Sequence, residues 1–218
     1  MVNKIEYLTL TENVASIIQK KILNGHILPG DRVIEEELSK ELNVSRGPIR
    51  EAFRKLEYDG LIVCESNKGC RVKTISSAEV EEIYIIRYGL EALSVEVCEG
   101  SFSEKTIKVL DMYVQQMEEA AIEHNIEALF HLDEKFHAQI VSETRLTRLY
   151  ELWKSMKFVN ASIFLTTYNI HDINLKKQAP AHERIVKSIK TGVEDVIKQS
   201  IKNHYLNSSM IFNDSNEK

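Results

Sequence analysis

Four residues in the C-terminal part of the chain have the types and spacing of a metal site. Asp133 and His137, in the stretch LDEKFH, are four residues apart and share one face of a helix. That face is otherwise apolar, and a carboxylate in a core is unfavourable unless it is paired or bound to a metal. His182 and His204 also recur with apolar residues at helical spacing. All four side chains are therefore expected to point inward.

The position of Gly192 predicts that the two later histidines meet. His182 precedes this glycine by ten residues and His204 follows it by twelve, so in helices they lie roughly 15 and 18 Å from the turn. In an antiparallel hairpin these imidazoles would be side by side. One Asp and three His around a cavity could hold a divalent transition metal with positions open for water or a ligand. Four separate, hydrogen-bonded core residues are the alternative that spacing leaves open.

The elements that must position these residues are helices. Ser76 and Glu79 form a capping-box signal, after which the apolar period stays near 3.6. We expect an all-helical bundle with a frayed polar C-terminus. Its predicted helices cover 78–99, 103–123, 125–142, 145–169, 180–190 and 193–208.

The N-terminal part has a different pattern. Three short helical segments are followed by LIVCES and CRVKTI, which are typical of a two-stranded hairpin. Three helices and a hairpin in this order predict a winged helix-turn-helix. The expected organisation is a mainly α chain with a winged helix-turn-helix DNA-binding domain at 1–75 and an all-helical domain at 76–218.

The third predicted helix carries a basic stripe. Arg46, Arg50 and Arg54 recur every four residues, while Ile49 and Phe53 lie on a different face. Arginines on one face of a short packed helix suit the reading of guanine edges or phosphates in the major groove. A solvated surface helix is the competing interpretation of the arginine repeat alone.

Composition restricts the class of protein. The net charge is −5, yet residues 1–75 hold 12 Lys and Arg against 11 Asp and Glu, and the remainder holds 16 against 22. Long apolar runs are absent from the sequence, so we expect no membrane span. Cys64, Cys70 and Cys98 are odd in number and lack CxxC spacing, which predicts no disulfide and a reduced, cytoplasmic setting.

The N-terminal residues resemble the DNA-binding domain of the GntR family of bacterial regulators. The resemblance covers residues 10–75 and includes Pro29-Gly30, the block VSRGPIREA, Asp59-Gly60-Leu61 and the glycine before CRV. It implies that Arg46 and Arg50 contact operator DNA and that Gly69 approaches the minor groove. The full expected DNA-contacting set is Ser45, Arg46, Arg50, Arg54 and Gly69. Glu36 stands where some relatives carry a DNA-contacting arginine.

Residues 78–208 resemble the FCD effector domain of the FadR subgroup. DEKFH matches its D-x3-H, AHERIV its H-x-x-I, and IKNHYL its last histidine, although Leu146 stands where an Asn is usual. The resemblance implies a metal at Asp133, His137, His182 and His204, with zinc favoured over nickel or manganese. IRYGLE resembles R-x-x-[IL]-E and implies that Arg87 binds a ligand carboxylate. A structural pair of Arg87 with Glu91 is the alternative.

These features together predict a transcriptional regulator rather than an enzyme. We expect a homodimer that binds palindromic operator DNA and whose metal-containing domain senses a small organic acid. A metal-dependent hydrolase and a regulator with a purely structural metal are the competing hypotheses. Glu134 argues against hydrolysis, because it follows Asp133 directly and so points away from the site as a general base.

Overall fold

The computed structural model describes residues 9–66, 68–170 and 175–216. It divides the chain into two compact units, Met1–Thr74 and Ile75–Lys218. Both are mainly helical, and the sheet found among these residues lies in the first unit. The predicted fold class, a winged helix-turn-helix followed by a helical bundle, is confirmed.

The first unit contains three helices and three short strands. The helices are α1 (Leu10–Leu23), α2 (Glu35–Glu41) and α3 (Arg46–Tyr58), and the strands are β1 (Arg32–Val33), β2 (Ile62–Glu65) and β3 (Gly69–Val72). A capping box between Thr9 and Glu12 begins α1. In α3 the residues Ile49, Phe53 and Leu56 are buried, which fixes this helix against the core of the unit.

The sheet differs from the predicted hairpin in having a third strand. Its order is β1-β3-β2, because Arg32 and Val33 pair with β3 in a segment that the sequence predicts as a turn. A strand of two residues has too little periodicity to be read from sequence. The wing turn NKG includes residue 67, which lies outside the described residues.

The expectation of no disulfide is wrong for this structure. Cys64 and Cys70 are direct cross-strand partners in the β2 and β3 register and form a disulfide with a Cα–Cα distance of 4.1 Å. Sequence spacing gave no sign of this pair, since only the register of the hairpin places the two side chains opposite each other. Cys98 is a free thiol.

The second unit is built from seven helices and one 3-10 turn in its described part. They are α4 (Ser77–Val97), α5 (Glu104–Ile122), α6 (Ile126–Ser142), α7 (Thr147–Lys154), α8 (Lys157–Ile170), α9 (Gln178–Ile189) and α10 (Glu194–Asn216), with the turn at Leu175–Lys177. The predicted Ser76 capping box begins α4. Buried faces of α4, α6, α9 and α10 enclose the interior of the bundle.

Two predicted helix boundaries are wrong. The single helix expected at 145–169 is two helices, because α7 ends at its C-cap Ser155 and α8 begins at Lys157. The tail expected to fray after 208 continues as helix to Asn216, since Phe212 is buried against Ile75, Val80 and Ile163. None of the helices among the described residues combines the length and apolar character that a membrane span needs.

Candidate functional site

The structure brings the four predicted metal-ligating residues together inside the second unit. Asp133 and His137 come from α6, His182 from α9 and His204 from α10, and their candidate ligand atoms all lie within 4.8 Å of one another. His182 Nε2 is 3.1 Å from Asp133 Oδ1, and His137 Nε2 is 3.3 Å from His204 Nε2. We call these four residues the tetrad.

Hydrogen bonds outside the tetrad orient two of its imidazoles. Nδ1 of His137 lies 2.8 Å from Glu91 Oε2, and Nδ1 of His182 lies 2.9 Å from the carbonyl oxygen of Gln178. Both partners are acceptors, so each Nδ1 carries the proton and each Nε2 lone pair faces the other members of the tetrad. This is the tautomer that a metal ligand requires.

Glu91 joins the tetrad to two aromatic side chains. Its carboxylate is fully buried and accepts hydrogen bonds from Trp153 Nε1 at 3.0 Å and Tyr205 OH at 2.6 Å, besides its contact with His137. The sequence drew attention to Glu91 only as a partner for Arg87. Its position in the IRYGLE motif is the signal that could have suggested an inward role.

The charges around the tetrad favour a carboxylate and a neutral imidazole as ligands. Burial raises the pKa of Asp133, but the contact of its Oδ1 with His182 Nε2 and the neighbouring imidazoles outweigh this and hold the pKa below its usual range. Burial, followed by the nearby His182 and His137, lowers the pKa of His204. Burial also lowers the pKa of His137, yet Glu91 more than compensates and the net shift is upward.

Arg87, the predicted ligand-binding residue, is buried behind the tetrad. Its Nη2 lies 3.1 Å from Glu134 Oε1, an ion-pair distance without hydrogen-bond alignment, and its Nε donates to Tyr205 OH at 3.2 Å. Its guanidinium carbon lies 4.5 Å from the centroid of the Trp153 ring. The charge partner of Arg87 is therefore Glu134 rather than Glu91. The described residues that line the cavities beside the tetrad do not include Arg87.

Two adjoining cavities lead to the tetrad. The inner cavity has a volume of about 30 Å³ and touches Asp133, His137 and His204. The outer cavity has a volume of about 480 Å³ and is lined by α9 and α10. His204, Gln178 and Ser208 line both, so the outer cavity gives access to the tetrad.

The donor set fits a divalent transition metal. Two Nε2 atoms with fixed tautomers, a third neutral imidazole and a carboxylate form a borderline N3O set of the kind that zinc accepts. Without an ion, a neutral His204 would donate an Nε2–H to the Nε2 lone pair of His137, which lies 3.3 Å away. A cation would replace that proton and be shared by the two Nε2 lone pairs.

The structure gives no support to metal-dependent hydrolysis. The Glu134 side chain is buried and turned toward Arg87 and Asn160, and Asn160 Nδ2 donates to its carboxylate at 2.7 Å. Glu134 therefore points away from the tetrad, as its place directly after Asp133 predicts, although it is buried. The fold encloses Glu134 against α8 and α4.

The predicted DNA-contacting arginines are exposed on α3. The side chains of Arg46, Arg50 and Arg54 are 56, 63 and 74% exposed. Ser45 is the N-cap residue of α3, although its hydroxyl makes no capping hydrogen bond. Gly69 begins β3 with a φ of +83°, and a Cβ there would meet no described atom within 4 Å. A residue with a side chain would be strained at this φ.

The fold and these two sites define a winged helix-turn-helix DNA-binding protein with a helical C-terminal domain. Residues 10–72 match the family described as bacterial regulatory proteins, gntR family, and residues 82–207 match the FCD domain. The chain belongs to the GntR family of transcriptional regulators, and its C-terminal part is an FCD domain.

Known relatives agree with this assignment. The uncharacterized HTH-type transcriptional regulator YdhC of Bacillus subtilis is 30% identical over 86% of this chain and 84% of its own length. The gluconate operon transcriptional repressor of Bacillus licheniformis is 26% identical over 88% of this chain and 80% of its own length. A solved GntR regulator from Rhodococcus sp. RHA1 superposes with a TM-score of 0.80 over 94% of this chain and 98% of that one, at 23% identity, and so supports the fold. These matches are regulators, not enzymes.

Proposed function

We propose that this chain is a metal-dependent, acid-responsive transcriptional regulator that binds palindromic operator DNA as a homodimer in the cytoplasm. The observation that carries the proposal is the tetrad, whose ligand atoms lie within 4.8 Å of one another beside a cavity of about 480 Å³. A purely structural metal has no need of an adjoining cavity. The relative that represses a gluconate operon supports an organic acid as effector.

The residues of the tetrad would share the work of holding the metal. His137 and His182 would each contribute Nε2, with Nδ1 already engaged by Glu91 and Gln178. His204 and Asp133 would complete the protein ligands, and zinc is the favoured ion. A bound metal supplies a positive charge and open coordination positions for an oxygen ligand. An acid that binds the two states of the regulator unequally would change operator affinity.

A face of α4 supports the homodimer. Ile85, Leu93 and Val97 are exposed and spaced by multiples of four residues, and Gly89 lies between them on the same face. A Cβ at Gly89 would meet no described atom within 4 Å, so packing within the described part of the chain does not require a glycine there. Two copies of this face could cross closely about a two-fold axis, as a palindromic operator requires. We propose α4 as the dimer contact.

The proposal is tested by operator binding and metal content together. A DNA sequence enriched by the wild-type protein from a random library serves as operator, and fluorescence anisotropy measures its affinity with zinc and with candidate acids. We expect His182→Ala to lose roughly 100-fold or more in zinc affinity, because one protein ligand is removed, and to lose the response to acid while still binding operator. His131→Ala, which removes a half-buried histidine outside the tetrad on the same unit, is the control.

Three outcomes would contradict parts of the proposal. If the wild-type protein enriches no sequence, it is not an operator-binding regulator. If chelation lowers the melting temperature but leaves acid binding unchanged, the metal is structural. If purified protein equilibrated with zinc retains none after gel filtration, the tetrad is a hydrogen-bonded core cluster.

A further inference from the structure

The size of the two cavities indicates where an effector binds. The inner cavity of about 30 Å³ has room for roughly one water molecule. The outer cavity of about 480 Å³ falls within the range of small-molecule sites. An organic effector must therefore lie mainly in the outer cavity and reach the tetrad past His204, which lines both.

The charged residues that line the outer cavity in the described part of the chain are all positive. Lys177 and Arg184 are its charged lining residues in the described part of the chain, and no carboxylate lines it there. Neither cation has an ion-pair partner recorded among the described residues, whereas Lys187 and Lys190 on the same helix each bind a carboxylate. Two cations without carboxylates favour an anionic group at this end of the cavity.

Most of the remaining described lining residues are polar, beside the apolar Ala181 and Ile211. Gln178 and Asn207 carry side-chain amides, each with donors and an acceptor, and Ser200 carries a hydroxyl. Groups that both donate and accept hydrogen bonds match a chain of alcohols better than a hydrocarbon, which would leave them unpaired. The polar lining residues thus favour a hydroxylated acid over a fatty acid.

We propose that the effector is a polyhydroxylated acid with two anionic groups, of which one faces the tetrad and the other binds Arg184 and Lys177. This inference rests on the acid-sensing function proposed above and specifies its ligand class. The hydroxyls between the two anionic ends pair with the amides of Gln178 and Asn207.

Four linear six-carbon acids test the two requirements separately. Hexanoate has one charge and no hydroxyls, adipate has two charges, gluconate has one charge with hydroxyls, and glucarate has both. Isothermal titration on the full-length, zinc-equilibrated protein gives each affinity. We expect glucarate to bind most tightly and hexanoate most weakly, and Arg184→Gln to lower glucarate affinity about tenfold while leaving gluconate unchanged.

Arg148→Gln is the matched control, because it removes an exposed arginine of α7 on the same unit. Equal affinities for hexanoate and glucarate, or an Arg184→Gln protein with wild-type affinity for glucarate, would overturn the ligand class. If hexanoate or adipate changes operator binding while gluconate and glucarate do not, the protein senses an acid but the proposed ligand class is wrong. Absence of binding by all four acids would refute this inference and the acid-sensing proposal together.

A second inference concerns the DNA-reading helix and is independent of the metal. Arg50 Nε donates to Glu35 Oε2 at 2.8 Å, and Arg46 Nη2 lies 3.4 Å from Glu36 Oε2. Glu35 is the less exposed of the two acids, with 25% of its side chain accessible. Carboxylates on α2 therefore bind two predicted DNA-contacting arginines. DNA must compete with these carboxylates for the guanidinium groups.

We infer that Glu35 is a specificity-determining residue. A carboxylate beside Arg50 weakens attraction to phosphates at any sequence, because it cancels part of the positive charge. It also fixes the guanidinium in one orientation, which benefits bidentate contact with a guanine edge. Glu35 should therefore lower non-specific affinity more than operator affinity.

Glu35→Gln tests this inference, with the exposed Glu37 of the same helix changed to Gln as control. Anisotropy titrations use the enriched operator and a scrambled duplex at several salt concentrations. We expect Glu35→Gln to bind scrambled DNA more tightly and to reduce the ratio of specific to non-specific affinity about tenfold. The slope of log affinity against log salt concentration should become steeper by about one. Equal gains on both duplexes, or the same change in Glu37→Gln, would overturn the inference.

Discussion

Glu91 shows how one buried carboxylate can set the chemistry of a neighbouring site. It is fully buried and accepts hydrogen bonds from His137, Trp153 and Tyr205. Arg87 lies nearby and balances the negative charge of this region through Glu134. The tautomer of His137 is thus fixed by a residue outside the tetrad.

We predict that Glu91→Gln lowers zinc affinity 10- to 100-fold, the range usual for loss of a partner that orients a metal-ligating histidine. A chelator competition titration measures the loss. Trp153 is the only tryptophan and donates to Glu91, so its fluorescence should respond to zinc in the wild type and respond less in the variant.

Glu82→Gln on the exposed face of α4 is the control for this experiment. It should leave both zinc affinity and Trp153 emission unchanged. Zinc affinity equal to wild type in a folded Glu91→Gln protein would show that the tetrad needs no outside partner.

At the scale of elements, Glu143 connects the end of α6 to the beginning of α5. Its carboxylate accepts hydrogen bonds from the Ser103 backbone N–H at 2.9 Å and from the Thr106 hydroxyl. Ser103 is the N-cap of α5, so a negative charge here also complements the helix dipole. Partial burial raises the pKa of Glu143, but these hydrogen bonds lower the pKa by a larger amount, so the net shift is downward.

We predict that Glu143→Gln lowers the free energy of unfolding by about 0.5–1 kcal/mol at pH 7, a value reduced for solvent screening. Because the pKa is lower in the folded state, this stabilisation is present above the ordinary value of 4.5 and is lost as the pH falls through the folded value. Urea unfolding of both proteins from pH 7 to pH 3 measures it.

The exposed Glu118 of α5 changed to Gln is the control, and its stability difference from wild type should be small at every pH. A Glu143→Gln deficit that stays constant down to pH 3 would mean that the effect comes from packing rather than from charge.

For the whole molecule, the proposed dimer makes operator binding depend on α4. We predict that Leu93→Glu, which places a charge on the exposed face, prevents self-association and weakens operator binding by roughly 100-fold, because each half-site is then bound separately. Sedimentation equilibrium and anisotropy on the same preparations measure both effects.

The control is Leu152→Glu, the same substitution at an exposed leucine of α7. It should leave association and operator affinity as in the wild type. A Leu93→Glu protein that still sediments as a dimer would exclude this face as the contact.

The sequence by itself determined most of the helical segments and the β2–β3 hairpin, because apolar periodicity, caps and glycines act over a few residues. It also determined that Asp133, His137, His182 and His204 point inward, and the position of Gly192 was enough to predict that the last two meet. These are consequences of local geometry at 1.5 Å per residue.

Only the tertiary structure decided which residues of separate elements contact one another. The pairing of Arg87 with Glu134, the three contacts of Glu91 and the Cys64–Cys70 bond join residues from separate elements, so neither spacing nor periodicity could reveal them. The break between α7 and α8 and the helical tail of α10 were missed for a related reason. Long-range packing, such as burial of Phe212, outweighs the weak local preferences of a polar segment.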